Sequence, residues 1–377
     1  MSAERPVVEW MAPTKIVIVG AGECGANTAI ALRELGYGGR LVLIGVEAHD
    51  PYERPPLSKR ALVASEAPPP ATVLSATRRE TADIEFLASA RVVGIDRAAR
   101  CVVVADGGSF EYDRLVLATG AQPRMLTISG AHHALLLRTY DDSIALRERL
   151  GPGVRLGVVG GGFIGLEVAA AARAKGCAVT VVEYMPRVLS RAVPAEIAAE
   201  IASRHAAAGV AIRCGVSVLG IEPVGDEYVI SLDTGLPVEC DVVVAGVGAS
   251  PVTDLAATAG LAIDNGISVD EYLRTSDPYV YAAGDCCSFP HTLFGGRRVR
   301  LEAWRNAHDQ ARAVARNLLG YNEIYRAVPW FWSDQYELGI QIAGLPDEAA
   351  TEVVRQRFDG AMPVSYTHLT LPTNREV

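Results

Sequence analysis

Short apolar runs alternate along the chain with segments of helical composition, and the order repeats. Lys15 to Val19 is a β-branched run closed by Gly20, which predicts a buried parallel strand. Ala26 to Leu35 has helical composition and stops at Gly36. Leu41 to Ile44 predicts a second strand, with Glu47 just beyond it. The succession returns later. Val154 to Val159 predicts a strand, Leu166 to Lys175 a helix ending at Gly176, and Ala178 to Val182 a strand followed by Glu183. The repeat is one of whole domains, not of a solenoid unit, and it predicts an α/β protein.

Other segments punctuate this pattern. SEAPPPAT (65–72) is too proline-rich for helix or central strand. RLVLATGAQP (114–123) and DVVVAGVGASP (241–251) are apolar strands ending in glycine turns, where the chain crosses between domains. DPYVYAAGDCC (277–287) ends in Gly284-Asp285, and residues 302–319 read as a helix closed by Gly320. From about 323 the character changes: PWFWSDQYELGIQIAG and TEVVRQRF read as antiparallel strands around a turn at Leu345-Pro346-Asp347.

Composition narrows the function classes. A chain of 377 residues is expected to form two or three domains. Its net charge of −9, with no long basic tract, argues against nucleic acid as a partner. No apolar stretch approaches the roughly 18 to 20 residues of a membrane span. The N-terminal residues lack a signal-like apolar region, so a cytoplasmic protein without a membrane partner is expected. The cysteines are scattered without C-x-x-C spacing, which leaves no zinc site and no disulfide framework. Adjacent Cys286 and Cys287 read as buried thiols, with a redox switch as the alternative.

The glycines carry the chemistry. Gly20, Gly22 and Gly25 form one G-x-G-x-x-G, and Gly160, Gly162 and Gly165 form another, each between a strand and a helix. Such a turn lets backbone N–H groups approach a pyrophosphate at a helix N-terminus. An acid about 20 residues on accepts bonds from the ribose. Glu47 lies 22 residues past Gly25, and Glu183 lies 18 past Gly165. Two Rossmann-like dinucleotide-binding domains in one chain suggest electron transfer between cofactors. The first site is expected to hold FAD permanently and the second to exchange NADH. Glu183 favours NADH over NADPH because a carboxylate repels a 2′-phosphate, a preference that Arg187 weakens slightly.

At PYERPPLSK (51–59), RLVLATG (114–120), GGGFIGLEVAA (160–170), TSDPYVYAAGDC (275–286) and PWFWSDQYE (329–337) the chain resembles the FAD-dependent NAD(H):ferredoxin reductases of bacterial oxygenase systems, the putidaredoxin reductase group. The resemblance implies a glutathione-reductase-like fold. An FAD domain would be built from 14–120 and 250–322, with an NAD domain at 121–249 and a partial α+β C-terminal domain at 323–363. It implies that Gly20, Gly22, Cys24 and Gly25 cradle the FAD pyrophosphate, while Val92 and Arg138 line FAD. Asp285 would bind the ribityl–phosphate chain and Trp304 would lie beside the isoalloxazine. Gly160, Gly162, Gly165, Glu183 and Gly248 would hold NADH. Lys59 would sit by the flavin and stabilise its reduced form, oriented by Glu167. Val46 stands where the family commonly has an acid, which leaves Glu47 alone at the FAD ribose. Gln122 and Val252 depart from the family's arginine and asparagine. Alternatives stay open at four positions: Lys59 as a surface lysine, Asp285 as a helix cap, Trp304 as core, and Glu167 as partner of a neighbouring arginine.

Tyr52 to Lys59 holds no cysteine, which disfavours reduction of a disulfide and points to a 2Fe–2S ferredoxin as acceptor. Arg305, Arg312 and Arg316 share one helix face, preceded by Arg297, Arg298 and Arg300, and would attract an acidic partner. The alternative functions are a rubredoxin reductase or NADH oxidase of the same fold, or a low-turnover NADH-binding flavoprotein like apoptosis-inducing factor. The closing VSYTHLTLPTNREV has no strand or helix periodicity and reads as translated sequencing adapter, so residues 364–377 are expected to be a non-native tail on a truncated C-terminal domain.

Overall fold

The computed structural model describes residues 12–345 and the backbone of two short strands, Val353–Arg355 and Val364–Tyr366. The chain divides into two compact units. One takes the chain up to Arg54, Pro69–Gln122 and Ser250–Pro329; the other takes Pro55–Pro68, Pro123–Ala249 and the chain from Trp330.

In the first unit a parallel five-stranded sheet runs in the order Val280–Ala282, Arg114–Leu117, Lys15–Val19, Arg40–Ile44, Glu85–Leu87. Ile16, Val17, Ile18 and Val19 are all buried, as a strand covered on both faces requires. Helices Glu23–Glu34 and Trp304–Leu318 pack against each other. The second buries Ala307, Ala311, Val314 and Leu318, a single stripe at helical spacing. A small antiparallel sheet of Val92–Asp96, Cys101–Val104 and Ser109–Glu111 completes the expected α/β character.

In the second unit a parallel sheet runs in the order Val210–Cys214, Ala178–Glu183, Arg155–Val159, Val242–Ala245. Its helix Phe163–Ala174 buries Leu166, Val168, Ala169 and Ala172. Pro55–Pro68 belongs here because its carbonyls are taken up by this unit. Ser143 Oγ donates to Leu57 O at 2.8 Å, and Arg147 Nη1 and Nη2 donate to Leu62 O and Ser65 O at 3.1 and 3.0 Å.

Three expectations need correction. Both glycine-turn helices begin three residues earlier than composition predicts, at Glu23 and Phe163, because the turn and not the apolar pattern sets their start. The segment from Trp330 is a hairpin of its own, Trp330–Gln335 against Leu338–Ala343, with a turn at Tyr336-Glu337 inside the expected strand run; of the turn expected at 345–347, residues 346 and 347 lie outside the described residues. Tyr336 adopts φ +54°, a turn conformation that tyrosine does not advertise. It is held by its ring against His205 and by Arg204 pairing with Glu337. Finally, Val364–Tyr366 pairs antiparallel with Val353–Arg355, so three residues of the segment expected to lack strand structure form a strand.

Candidate active site

The two glycine turns are built alike. Gly20 and Gly160 adopt φ +109° and +107°. A Cβ on Gly20 would lie 2.1 Å from Ala118 O, and one on Gly160 would lie 2.5 Å from Gly246 O, so a second strand end packs onto each turn. A Cβ on Gly25 or Gly165 would meet the carbonyl of Gly20 or Gly160 at 1.8 or 2.1 Å. The middle glycines differ. Nothing lies within 4 Å of a Cβ on Gly22, and only Gly246 O at 3.8 Å near one on Gly162. Neither helix N-terminus carries a side-chain cap. Open space, uncapped N–H groups and a positive helix end together fit a pyrophosphate.

The acids beyond the second strands are held differently. Glu183 accepts from Gly161 N at 2.6 Å and from Met185 N at 2.7 Å, which bends its strand end onto the turn. Arg187 donates to the carbonyls of Val188, Leu189 and Ser190, so its guanidinium is engaged with its own loop and not aimed at a 2′-phosphate. Glu47 instead takes the Tyr52 hydroxyl on one oxygen and Arg54 Nη2 at 2.6 Å on the other. Sequence reading missed these two partners, which sit in the quoted PYERPPLSK.

Around the first turn the structure gathers further expected residues. Cys24 is buried, and a Cβ on Gly284 would lie 3.0 Å from Cys24 Cβ, which brings the Gly284-Asp285 turn against the glycine helix. Trp304 stacks on His308 with ring centroids 5.1 Å apart, and His308 Nδ1 lies 3.2 Å from Glu23 Oε1. Burial raises the Glu23 carboxyl above its usual range, against the lowering effect of His308. Val92 packs on the same core. Gly248 lies in the second unit with φ +103°, in the turn whose Gly246 abuts Gly160. Arg138 also belongs to the second unit, ahead of helix Tyr140–Glu148, with its backbone N–H on Asp142.

Lys59 and Glu167 meet within the second unit. Lys59 Nζ lies 2.9 Å from Glu167 Oε2, with the lysine side chain 21% exposed and the glutamate 3%. Glu167 therefore pairs with Lys59, not with an arginine of its own helix. The same carboxylate accepts the Ser58 hydroxyl on Oε2 and the Ser333 hydroxyl on Oε1, the latter at 2.5 Å. Neither serine was singled out in the sequence. The signal for Ser333 was present: Ser333 and Gln335 flank exposed Asp334 in the strand WFWSDQ, so they share the face opposite it, and both are buried.

Charge on the Trp304–Leu318 helix is partly cancelled. Arg305 Nε pairs with Asp309 Oδ2 at 2.8 Å and Arg316 with Glu323, while Arg312 is exposed. Arg298 binds Ser288 O at 2.6 Å, and Arg300 pairs with Glu302. Cys286 and Cys287 are fully buried, and burial pushes both thiols up; they are packed, protonated groups. Among the described residues no helix is long and apolar enough to cross a membrane.

Two α/β units, each with a glycine turn, an uncapped helix start and an acid beyond the next strand, define a protein that binds two dinucleotides. The chain belongs to the pyridine nucleotide-disulphide oxidoreductase family, whose sequence profile matches residues 14–311; a reductase C-terminal profile matches 330–371. It is 42% identical over 350 residues to rhodocoxin reductase of Rhodococcus erythropolis, covering 92% of this chain and 82% of that one. It is 38% identical to putidaredoxin reductase of Pseudomonas putida, covering 90% and 82%. Among solved structures, a ferredoxin reductase from Rhodopseudomonas palustris superposes with TM-score 0.88 at 43% identity, covering 91% of this chain and 85% of that one. The covalent putidaredoxin reductase–putidaredoxin complex gives 0.87 at 38%, covering 91% and 84%. The resemblance to the putidaredoxin reductase group and the α/β fold are thereby borne out, and the family uses FAD and NAD(H).

Proposed function

We propose that the chain is a cytoplasmic flavoprotein that passes electrons from NADH through FAD to a 2Fe–2S ferredoxin serving an oxygenase. The observation that carries this reading is the pair of glycine turns of matched geometry in one polypeptide, each with an open middle position. The names of the relatives support the acceptor: they include the ferredoxin–NAD(+) reductase components of an anthranilate 1,2-dioxygenase system and a p-cumate 2,3-dioxygenase system. Scattered, unpaired thiols support a reducing compartment.

FAD, when bound, supplies the two-electron to one-electron conversion that an NADH-to-iron–sulfur transfer needs. The chain's residues supply the rest. Gly20, Gly22, Cys24 and Gly25 with the Glu23–Glu34 helix would hold the FAD pyrophosphate, Glu47 would reach the ribose, and Asp285, Val92 and Trp304 would line the remainder. Gly160, Gly162, Gly165 and Gly248 hold NADH, with Glu183 at its ribose. Lys59, its direction fixed by Glu167, would supply a cation to offset the charge that FAD, when bound, carries on reduction. Ferredoxin docks on the Arg312 side of the Trp304–Leu318 helix.

The test is NADH-driven reduction of cytochrome c by the purified chain, with candidate ferredoxins added one at a time. Dependence on one ferredoxin is expected. NADH oxidation with peroxide formation, indifferent to every ferredoxin, would sink the proposal.

A further inference from the structure

Glu167 does not end its hydrogen bonding at Ser333. Gln335 Nε2 lies 3.1 Å from Ser333 Oγ, His205 Nε2 lies 2.8 Å from Gln335 Oε1, and Tyr336 OH lies 3.2 Å from His205 Nδ1. Ser333, Gln335 and His205 are each at most 1% exposed. Buried polar groups in a hairpin are costly unless every one is bonded. Here each bond has one allowed direction. An amide nitrogen only donates, so Ser333 Oγ accepts from Gln335 and keeps its hydrogen for Glu167. An amide oxygen only accepts, so His205 carries its hydrogen on Nε2, and its Nδ1 accepts from Tyr336. Burial lowers the affinity of His205 for a second proton, against the effect of the Gln335 bond, which keeps this neutral tautomer. Every donor in the chain therefore points toward the buried carboxylate beside Lys59.

We propose that Ser333, Gln335 and His205 are positioning residues: they hold the Glu167 carboxylate aimed at Lys59, and through them the Trp330–Ala343 hairpin sets the lysine's orientation. This rests on the reading that Lys59 acts at the flavin. Ser58 and Ser333 divide the carboxylate, one hydroxyl on each oxygen, so Glu167 cannot rotate without breaking a bond. Loss of the Ser333 hydroxyl leaves a buried oxygen bare, frees the carboxylate to rotate, and loosens its hold on Lys59.

The chain's only lysines are Lys15, Lys59 and Lys175, so trace acylation read by mass spectrometry reports Lys59 against exposed Lys15. The holoenzyme is compared with Glu167→Gln, Ser333→Ala, Ser333→Thr and Gln335→Met, with Lys59 acylation and single-turnover bleaching of the flavin by NADH as readouts. Glu167→Gln is expected to raise Lys59 acylation most. Ser333→Ala should raise it roughly 3-fold and slow bleaching by a similar factor with NADH affinity unchanged. Ser333→Thr, which keeps the hydroxyl, should restore both, and Gln335→Met should act weakly in the same direction. If Glu167→Gln shifts both readouts while Ser333→Ala and Gln335→Met match the unaltered protein, the positioning role is overturned. If Lys59 acylation follows the expected series but bleaching stays constant throughout, the positioning role holds and the placement of Lys59 at the flavin is what fails.

Discussion

The two dinucleotide turns share a backbone and differ in what surrounds it. In the second unit the acid at the strand end, Glu183, is held entirely by backbone N–H groups of Gly161 and Met185. In the first unit the corresponding Glu47 is held by side chains, Tyr52 and Arg54, and the first helical residue, Glu23, faces His308. A site braced by its own backbone can release a ligand without rearranging partners. A site braced by an interlocked side-chain cluster is suited to keep one. On the proposed assignment, the same fold element would serve an exchanging nucleotide and a resident one by changing who holds the acid.

The largest test breaks both turns in turn. Gly25→Ala drives a Cβ to 1.8 Å from Gly20 O, and Gly165→Ala drives one to 2.1 Å from Gly160 O. Each should cost on the order of 4 kcal/mol in its own unit. Gly25→Ala should purify without the visible absorbance of flavin. Gly165→Ala should retain the colour and lose reduction by NADH at any accessible concentration. Colour surviving in Gly25→Ala would dissolve the assignment of a resident flavin to the first turn.

The acids sharpen the contrast one step down. Glu183→Ala removes the proposed ribose contact and should raise the NADH dissociation constant roughly 10- to 100-fold, narrowing discrimination against NADPH. Glu47→Ala leaves Arg54, whose side chain is 26% exposed, without its carboxylate, and should lower Tm and increase flavin loss on dilution while NADH affinity holds. Equal effects of the two variants on NADH binding would erase the difference between the sites.

Much of this was legible in the sequence, and the reasons are physical. The turns were readable because a positive φ and backbone contact at the Cβ position leave glycine no substitute, so geometry is written in residue type. Lys59 and Glu167 came from the resemblance alone; 108 positions of chain separate them, and no local period links such residues. The hairpin turn at 336–337 was not legible because Tyr336 and Glu337 carry no turn signal, and their conformation is imposed by His205 and Arg204 far upstream. The arginine face was readable by helical spacing, yet its cancellation by Glu323 lies beyond the helix end, where periodicity says nothing.

That cancellation orders the next prediction. Arg305 and Arg312 are both exposed, but Arg305 and Arg316 are each paired with a carboxylate, whereas Arg312 has no ion pair among the described residues. Arg312→Glu should slow ferredoxin reduction roughly 3- to 10-fold at low salt, with the effect fading as salt screens it. Arg305→Glu and Arg316→Glu should each change the rate less, because each arginine is already engaged by its own carboxylate and offers less to a partner. Hydride uptake from NADH should stay constant in all three, which separates docking in the first unit from nucleotide chemistry in the second. An equal loss in all three would make the face a uniform patch.

The smallest effect compares the units through one buried histidine in each. His205 in the second unit and His291 in the first are both 0% exposed, and burial lowers both below the ordinary value of 6.5; Arg297 adds to the lowering at His291. Above that value both rings are neutral whether the chain is folded or not, and pH leaves stability unchanged on their account. As pH falls below it, the unfolded chain takes up protons that the buried rings refuse, so stability drops until the folded rings protonate as well. His205→Gln and His291→Gln each remove one such uptake, a change on the order of 1 kcal/mol. Tm measured from pH 7 down to pH 5 should therefore fall less steeply in either variant, and least in the double variant. At His205 the substitution also interrupts the bonds that lead to Glu167, so this variant alone should shift Lys59 acylation. If His291→Gln moved Lys59 acylation as much, the chain of bonds in the second unit would have no privileged hold on that lysine.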